Sequence, residues 1–153
     1  MCRDNKIFLS YVAGFLDGEG CINIKRKHKK GKFSGYGLRA HIHNTNLEVL
    51  ESIKFKLGGC LTEANKKQLR TSSNKLYKLT FADSKAKELL KKILPFLIVK
   101  RDQARWAIKV NFSSNFRPTS TKEFKNREMI RNKIHLLNLG KRSPQKTWKG
   151  NSL

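Results

Sequence analysis

Between Lys6 and Leu16 the apolar residues Phe8, Tyr11, Val12, Phe15 and Leu16 recur at helical spacing, with Asp4 as a candidate N-cap and Gly18 and Gly20 as stop signals. This pattern predicts a first helix. From Cys21 to His28 the period drops to two, Ile22 and Ile24 alternating with Asn23, Lys25 and Lys27. Gly31 and Gly35 then mark a turn before a second alternating run, Tyr36 to Asn44. The two runs predict a β-hairpin.

Thr45 and Glu48 have capping-box spacing, and Leu47, Leu50, Ile53 and Leu57 form one apolar stripe ending at Gly58-Gly59, which predicts a second helix. Cys60 to Asn65 and Leu76 to Ala82 predict a second hairpin joined by the polar segment Lys66 to Asn74. Ala86, Leu89, Leu90, Ile93 and Leu94 predict a third helix broken at Pro95, and Arg101 to Phe112 a fourth. Ser120 and Glu123 open a fifth, through Ile130, Ile134 and Leu137 to Gly140. The predicted order is αββαββααα, an α+β arrangement forming one domain over residues 1–140, with a basic tail over 141–153.

A length of 153 residues and a hydrophobic fraction of 38% suit one domain with its own core. Charge changes the picture more. Thirty-four basic against 11 acidic residues leave +23, spread from Arg3 to Lys149 rather than gathered on one amphipathic helix. That distribution points to a nucleic-acid partner and away from a membrane surface. Three scattered cysteines, Cys2, Cys21 and Cys60, give neither a disulfide scaffold nor a zinc pattern, and no apolar run is long enough to span a bilayer. The expectation is an intracellular protein in a reducing compartment.

The stretch Tyr11-Val12-Ala13-Gly14-Phe15-Leu16-Asp17-Gly18-Glu19-Gly20 carries the candidate chemistry. Gly14 and Gly18 share a helix face beside Ala13 and Asp17, where a second helix could approach closely. Asp17 and Glu19 lie at the helix C-terminus, where each exposed carboxylate costs roughly 0.3 to 1 kcal/mol against the macrodipole. Two readings account for them: oxygen ligands for a divalent cation, or surface acids in a turn.

The run from Val12 to Gly20 resembles the motif of the LAGLIDADG homing endonucleases, and the element order after it is similar to that family's core. The resemblance extends through the segment Pro95 to Lys100. It implies an αββαββα core with an antiparallel four-stranded DNA-binding sheet and extra C-terminal helices. It further implies that Glu19 and the Gly18 carbonyl hold Mg2+ or Mn2+, that Lys100 is the active-site lysine, and that Asn46 positions water. Leu50 stands where relatives have a further basic residue. A single motif implies a homodimer formed through the motif helix at Ala13, Gly14, Asp17 and Gly18. Such a dimer would hydrolyse both strands of a long pseudo-palindromic site across the minor groove, leave 3′ overhangs, and belong to an intron or intein. No organic cofactor is implied.

Strand alternation places Asn23, Lys25, Lys27 and Lys29 on one face, as it does Arg39, His41 and His43, and Lys78 and Thr80. These residues are candidate DNA contacts, together with Asn65, Lys67 and Arg70 in the connecting segment and Lys141 and Arg142 in the tail. A half-buried antiparallel sheet shows the same alternation whatever its partner. His41 and His43 lack the further ligands of a zinc site. Two other functions use the same features: a non-cleaving relative, either an RNA-splicing maturase or a DNA-binding protein, and a basic RNA-packaging protein, which leaves Asp17 and Glu19 unexplained.

Overall fold

The computed structural model describes residues 3–64, 75–110 and 120–140. Helix α1 covers Arg3–Glu19 and runs straight through Gly14 and Gly18. Burial of Leu9, Val12, Ala13 and Leu16 on its inner face outweighs a glycine cost of about 1 kcal/mol each. Strand β1, Gly20–Lys29, starts with no intervening turn. Only glycine fits at its first position, because a Cβ there would collide with the Leu16 side chain and carbonyl.

Strand β2, Lys32–Asn44, begins earlier than the sequence pattern predicts. Lys30 and Gly31 both adopt positive φ, 50° and 75°, so the hairpin closes in two residues and pairing starts at Lys29 opposite Lys32. The register slips once, between Lys27 and His28. Helix α2, Leu47–Leu57, is capped one residue later than expected, with Asn46 Oδ1 accepting the Val49 N–H at 3.2 Å in place of the Thr45 box.

Strands β3, Cys60–Glu63, and β4, Tyr77–Ala82, complete a four-stranded antiparallel sheet in the order β1-β2-β4-β3. Helix α3, Asp83–Ile93, ends in a 3-10 turn over Leu94–Phe96, and α4, Arg101–Lys109, follows, shorter than the predicted stretch to Phe112. Helix α5, Thr121–Asn138, is capped as expected, Ser120 Oγ accepting the Glu123 N–H at 3.2 Å.

All helices lie on one side of the sheet. Ile22, Ile24, Tyr36, Leu38, Ala40, Ile42, Leu79 and Phe81 point to that side and form a single core with the inner faces of α1 to α5. The alternate strand residues project from the opposite side, which among the described residues no helix covers.

Candidate functional site

Register aligns the uncovered face into rows. Cys21, His41, Thr80 and Cys60 are successive cross-strand partners, Asn23 faces Arg39, and His43 faces Lys78, which faces Thr62. Lys25, Arg39 and Lys78 crowd positive charge onto it. Burial and the neighbouring Lys25 and Arg39 lower the Lys78 pKa. His41 is only 9% exposed. Burial first, then Lys78, His43, Lys25 and Arg39, push its pKa down to about 4, and burial and Lys78 also lower that of His43. The two rings meet edge to face with centroids 5.0 Å apart.

A neutral imidazole keeps one acceptor nitrogen. On this face His41 Nδ1 and Asn23 Oδ1 are buried without a hydrogen-bond partner. The surface therefore pairs clustered cations with two polar atoms buried just beneath it.

Lys27 is the exception among the predicted face residues. Its side chain crosses Gly37, where a Cβ would collide with it, and Nζ donates to Asp83 Oδ2 at 2.9 Å. Its charge is thus shared with an internal acid. Asn65, Lys67, Arg70, Lys141 and Arg142 lie outside the described residues, as does the side chain of Lys29.

At one end of this face, α1 hands over to β1 and the motif acids divide their labour. Asp17 turns inward. Its carboxylate accepts the backbone N–H groups of Ile98, Val99 and Lys100 at 2.7, 3.0 and 2.8 Å, and Lys100 Nζ donates back to the Asp17 main-chain carbonyl. Lys100 is also the N-cap of α4, so Asp17 braces the start of that helix against the motif helix. Glu19 is exposed, and its carboxylate has no hydrogen bond or ion pair among the described residues. In a chain of +23 net charge, an acid left without a cation has affinity to spare.

The residues predicted for subunit contact separate. Ala13 is 0% exposed, packed in its own protomer's core, so it offers no surface to a second chain, while the partly exposed Asp17 gives its carboxylate to backbone amides. Gly14 and Gly18 are exposed, with nothing within 4 Å of a Cβ built on either. Ile7 and Tyr11 continue their exposed face, and Ile98, 79% exposed, stands in the segment that Asp17 anchors.

Asn46 stands at the start of α2. Its side-chain oxygen caps α2, accepting the Val49 N–H at 3.2 Å with one of its two lone pairs. Asn44 was not anticipated. It ends β2 two residues beyond Ile42, the partner of Gly20. Its Oδ1 accepts the Asn46 N–H at 2.8 Å, which leaves the Nδ2 donors directed by a fixed carboxamide. A polar residue at the end of a strand that pairs with the motif was the available signal.

The sequence profile of the LAGLIDADG endonucleases matches residues 12–100. No curated protein matches the chain. Among solved structures, the homing endonuclease I-CvuI in complex with its target in the presence of 2 mM Ca is similar with a TM-score of 0.71. The two are 19% identical over 94% of this chain and 87% of that one. The archaeal intron-encoded homing endonuclease I-Vdi141I complexed with DNA gives a TM-score of 0.68 at 22% identity, covering 92% of this chain and 87% of that one. I-SmaMI bound to cleaved DNA matches with a TM-score of 0.58 at 18% identity, 95% of this chain covering 52% of a longer one. At such identities the likeness is one of fold.

Proposed function

This chain belongs to the LAGLIDADG endonuclease family, and we propose that it is a site-specific endonuclease that cuts both strands of duplex DNA as a homodimer. The observation that carries the reading is the pairing, at the end of α1, of an unpartnered Glu19 with a Lys100 tied to the Asp17 carbonyl two residues away.

The donors suit a divalent cation. Glu19 Oε and the Gly18 carbonyl are hard oxygen ligands at an open helix C-terminus. No group of three His, Cys, Asp or Glu side chains able to hold a metal occurs among the described residues, so DNA oxygens and a second protomer's ligands would complete the set. Mg2+ or Mn2+ held by Glu19 and Gly18 would supply a more acidic water and charge neutralisation at the phosphate. The remaining work belongs to the chain. Lys100 brings a cation to the charge that develops on the phosphoryl oxygens, and its brace to Asp17 keeps it from swinging away. Asn46, at the start of α2, positions water through its amide, with Asn44 beside it at the end of β2. Lys25, Arg39, Lys78, His41, His43, Asn23 and Thr80 hold the duplex along the uncovered face.

One Glu19 per protomer cuts one strand, so two strands require two copies. The open Gly14 and Gly18 face is where α1 of one copy would meet α1 of the other. Such symmetry favours a pseudo-palindromic target cut across the minor groove with 3′ overhangs, as in an intron- or intein-borne gene acting inside a cell. The free Cys21 and Cys60 thiols accord with a reducing compartment.

The test uses duplexes selected from a random library by the wild-type protein. Glu19→Gln retains shape and loses charge, so it should bind the selected site within about threefold of wild type and lose cleavage by about a hundredfold or more in Mg2+. Full cleavage by the variant would remove Glu19 from the reaction, and a wild-type protein that never cuts would overturn the reading.

A further inference from the structure

Two carboxylates grip the β1–β2 hairpin at one level from opposite faces. On the helix side, Glu128 of α5 accepts Arg26 Nε at 2.9 Å and Nη2 at 2.7 Å, a bidentate pair, and also Arg131 Nη1 at 3.4 Å. Arg26 is the Cα partner of Tyr36, whose buried phenol adjoins the same carboxylate. On the uncovered side, Asp83 at the start of α3 accepts Lys27 Nζ through Oδ2 and the Leu38 N–H through Oδ1, at 2.9 and 3.1 Å. Both strands are therefore held at Arg26–Lys27 and at Tyr36–Leu38. The next residue of β1 begins the register slip, after which the hairpin runs on to its Lys30-Gly31 turn.

Arg26 occupies an inward strand position, in phase with the core residues Ile22 and Ile24. Its side chain stays 46% exposed there and is held by Glu128, whose side chain is 15% exposed. From Gly20 to Arg26 a strand advances about 20 Å at roughly 3.3 Å per residue. Along a duplex that distance is about six base-pair steps of roughly 3.4 Å. Everything beyond the clamp would lie over the outer part of a half-site.

We propose that Glu128, through Arg26, is a positioning residue for sequence recognition, setting the angle at which the distal hairpin leaves the sheet and hence which outer bases it meets. The inference rests on the DNA reading above. Glu128 lies on the helix side of the sheet, so it cannot touch a duplex on the other side, and any effect on base preference must pass through the hairpin.

The experiment compares wild type, Glu128→Gln, and the exchanged pair Arg26→Glu with Glu128→Arg. Amide hydrogen exchange on the DNA-free proteins should quicken in Glu128→Gln beyond Arg26, with α1 to α3 unchanged, and recover in the exchanged pair. On selected duplexes, Glu128→Gln should lose about tenfold of discrimination at base pairs more than about six from the centre. Preference nearer the centre and the cleavage rate on the best site should stay within about twofold, and the exchanged pair should restore the outer preference. Uniform weakening at all positions together with a lowered Tm would make Glu128 merely a fold residue, and an unchanged profile would overturn the proposal outright. A wild type without base preference would overturn the DNA reading and this inference with it, while the exchange data would still tell whether Glu128 holds the hairpin.

Discussion

Asp17 and Lys100 are bonded twice, with Lys100 the donor each time: the Asp17 carboxylate accepts the Lys100 backbone N–H at 2.8 Å, and the Asp17 main-chain carbonyl accepts Lys100 Nζ. The acid thereby fixes the backbone from which the lysine springs, and the lysine returns to the turn of helix that carries Glu19. The motif's two acids thus have different tasks, one internal and one facing outward.

Replacing Asp17 by Ala strands three amides that now share its carboxylate. Stability should fall by about 1 to 3 kcal/mol, because lost acceptors cost more than the bonds themselves gain. Urea unfolding measures it. Cleavage should fall further than the folded fraction explains, since Lys100 loses its anchor, and an unchanged midpoint would show the three bonds to be idle.

Lys100→Ala should slow single-turnover cleavage by about a hundredfold or more and leave affinity for the selected duplex nearly unchanged, as befits a charge that acts on the transition state. Parallel losses in rate and affinity would reduce Lys100 to a phosphate contact.

Gly14→Val separates folding from association. Nothing lies within 4 Å of the added Cβ, so the protomer accommodates it, and valine in a helix is a few tenths of a kcal/mol better than glycine. A close helix partner would not accommodate it: overpacking there costs on the order of 1 to 3 kcal/mol. The expected result is an unchanged or raised Tm with a weakened dimer in sedimentation and nicking in place of double-strand cuts. A variant that sediments as wild type would place the subunit contact elsewhere.

His41 makes stability depend on pH. Its folded pKa, about 4, lies below the ordinary 6.5, so between these values the unfolded chain binds the extra proton. Stability from this group is present above pH 6.5 and is lost as pH falls toward 4, by at most about 3 kcal/mol. Comparing chemical unfolding at pH 4.5 and 7 should show this slope flattened in His41→Gln. The same slope in both proteins would assign the loss to other groups, His43 first.

The element order was readable because each change of hydrophobic period falls at a boundary: helical spacing to Leu16, alternation from Cys21, helical spacing again from Leu47. Boundaries were less readable where tertiary packing overrode a local signal. Gly18 is a stop signal in isolation, yet the helix continues to Glu19 because the buried side of α1 holds it. Glu19 stood out as an acid at a helix C-terminus with two open readings, whereas Lys100 was singled out only through the motif's resemblance to a family. The bracing role of Asp17 was not readable, because its three amide partners lie more than 80 residues away and no local spacing announces them. Ala13 looked like part of a small-residue face, but a helix position one residue round from Gly14 points into the core. Glu128 carried no signal of its own. Its partner stood out only by phase, as an arginine at the inward position 26 of an alternating strand.

The pleat of the sheet has a consequence for inheritance. Ile22, Ile24, Leu38, Ala40, Ile42, Leu79 and Phe81 carry the packing, while Asn23, Lys25, Arg39, His43, Lys78 and Thr80 carry almost none of it. Folding and address are written on alternate letters of the same strands. A lineage of such chains can drift to new addresses through the second set without forfeiting the first, so descendants sharing a backbone need share little of what they contact.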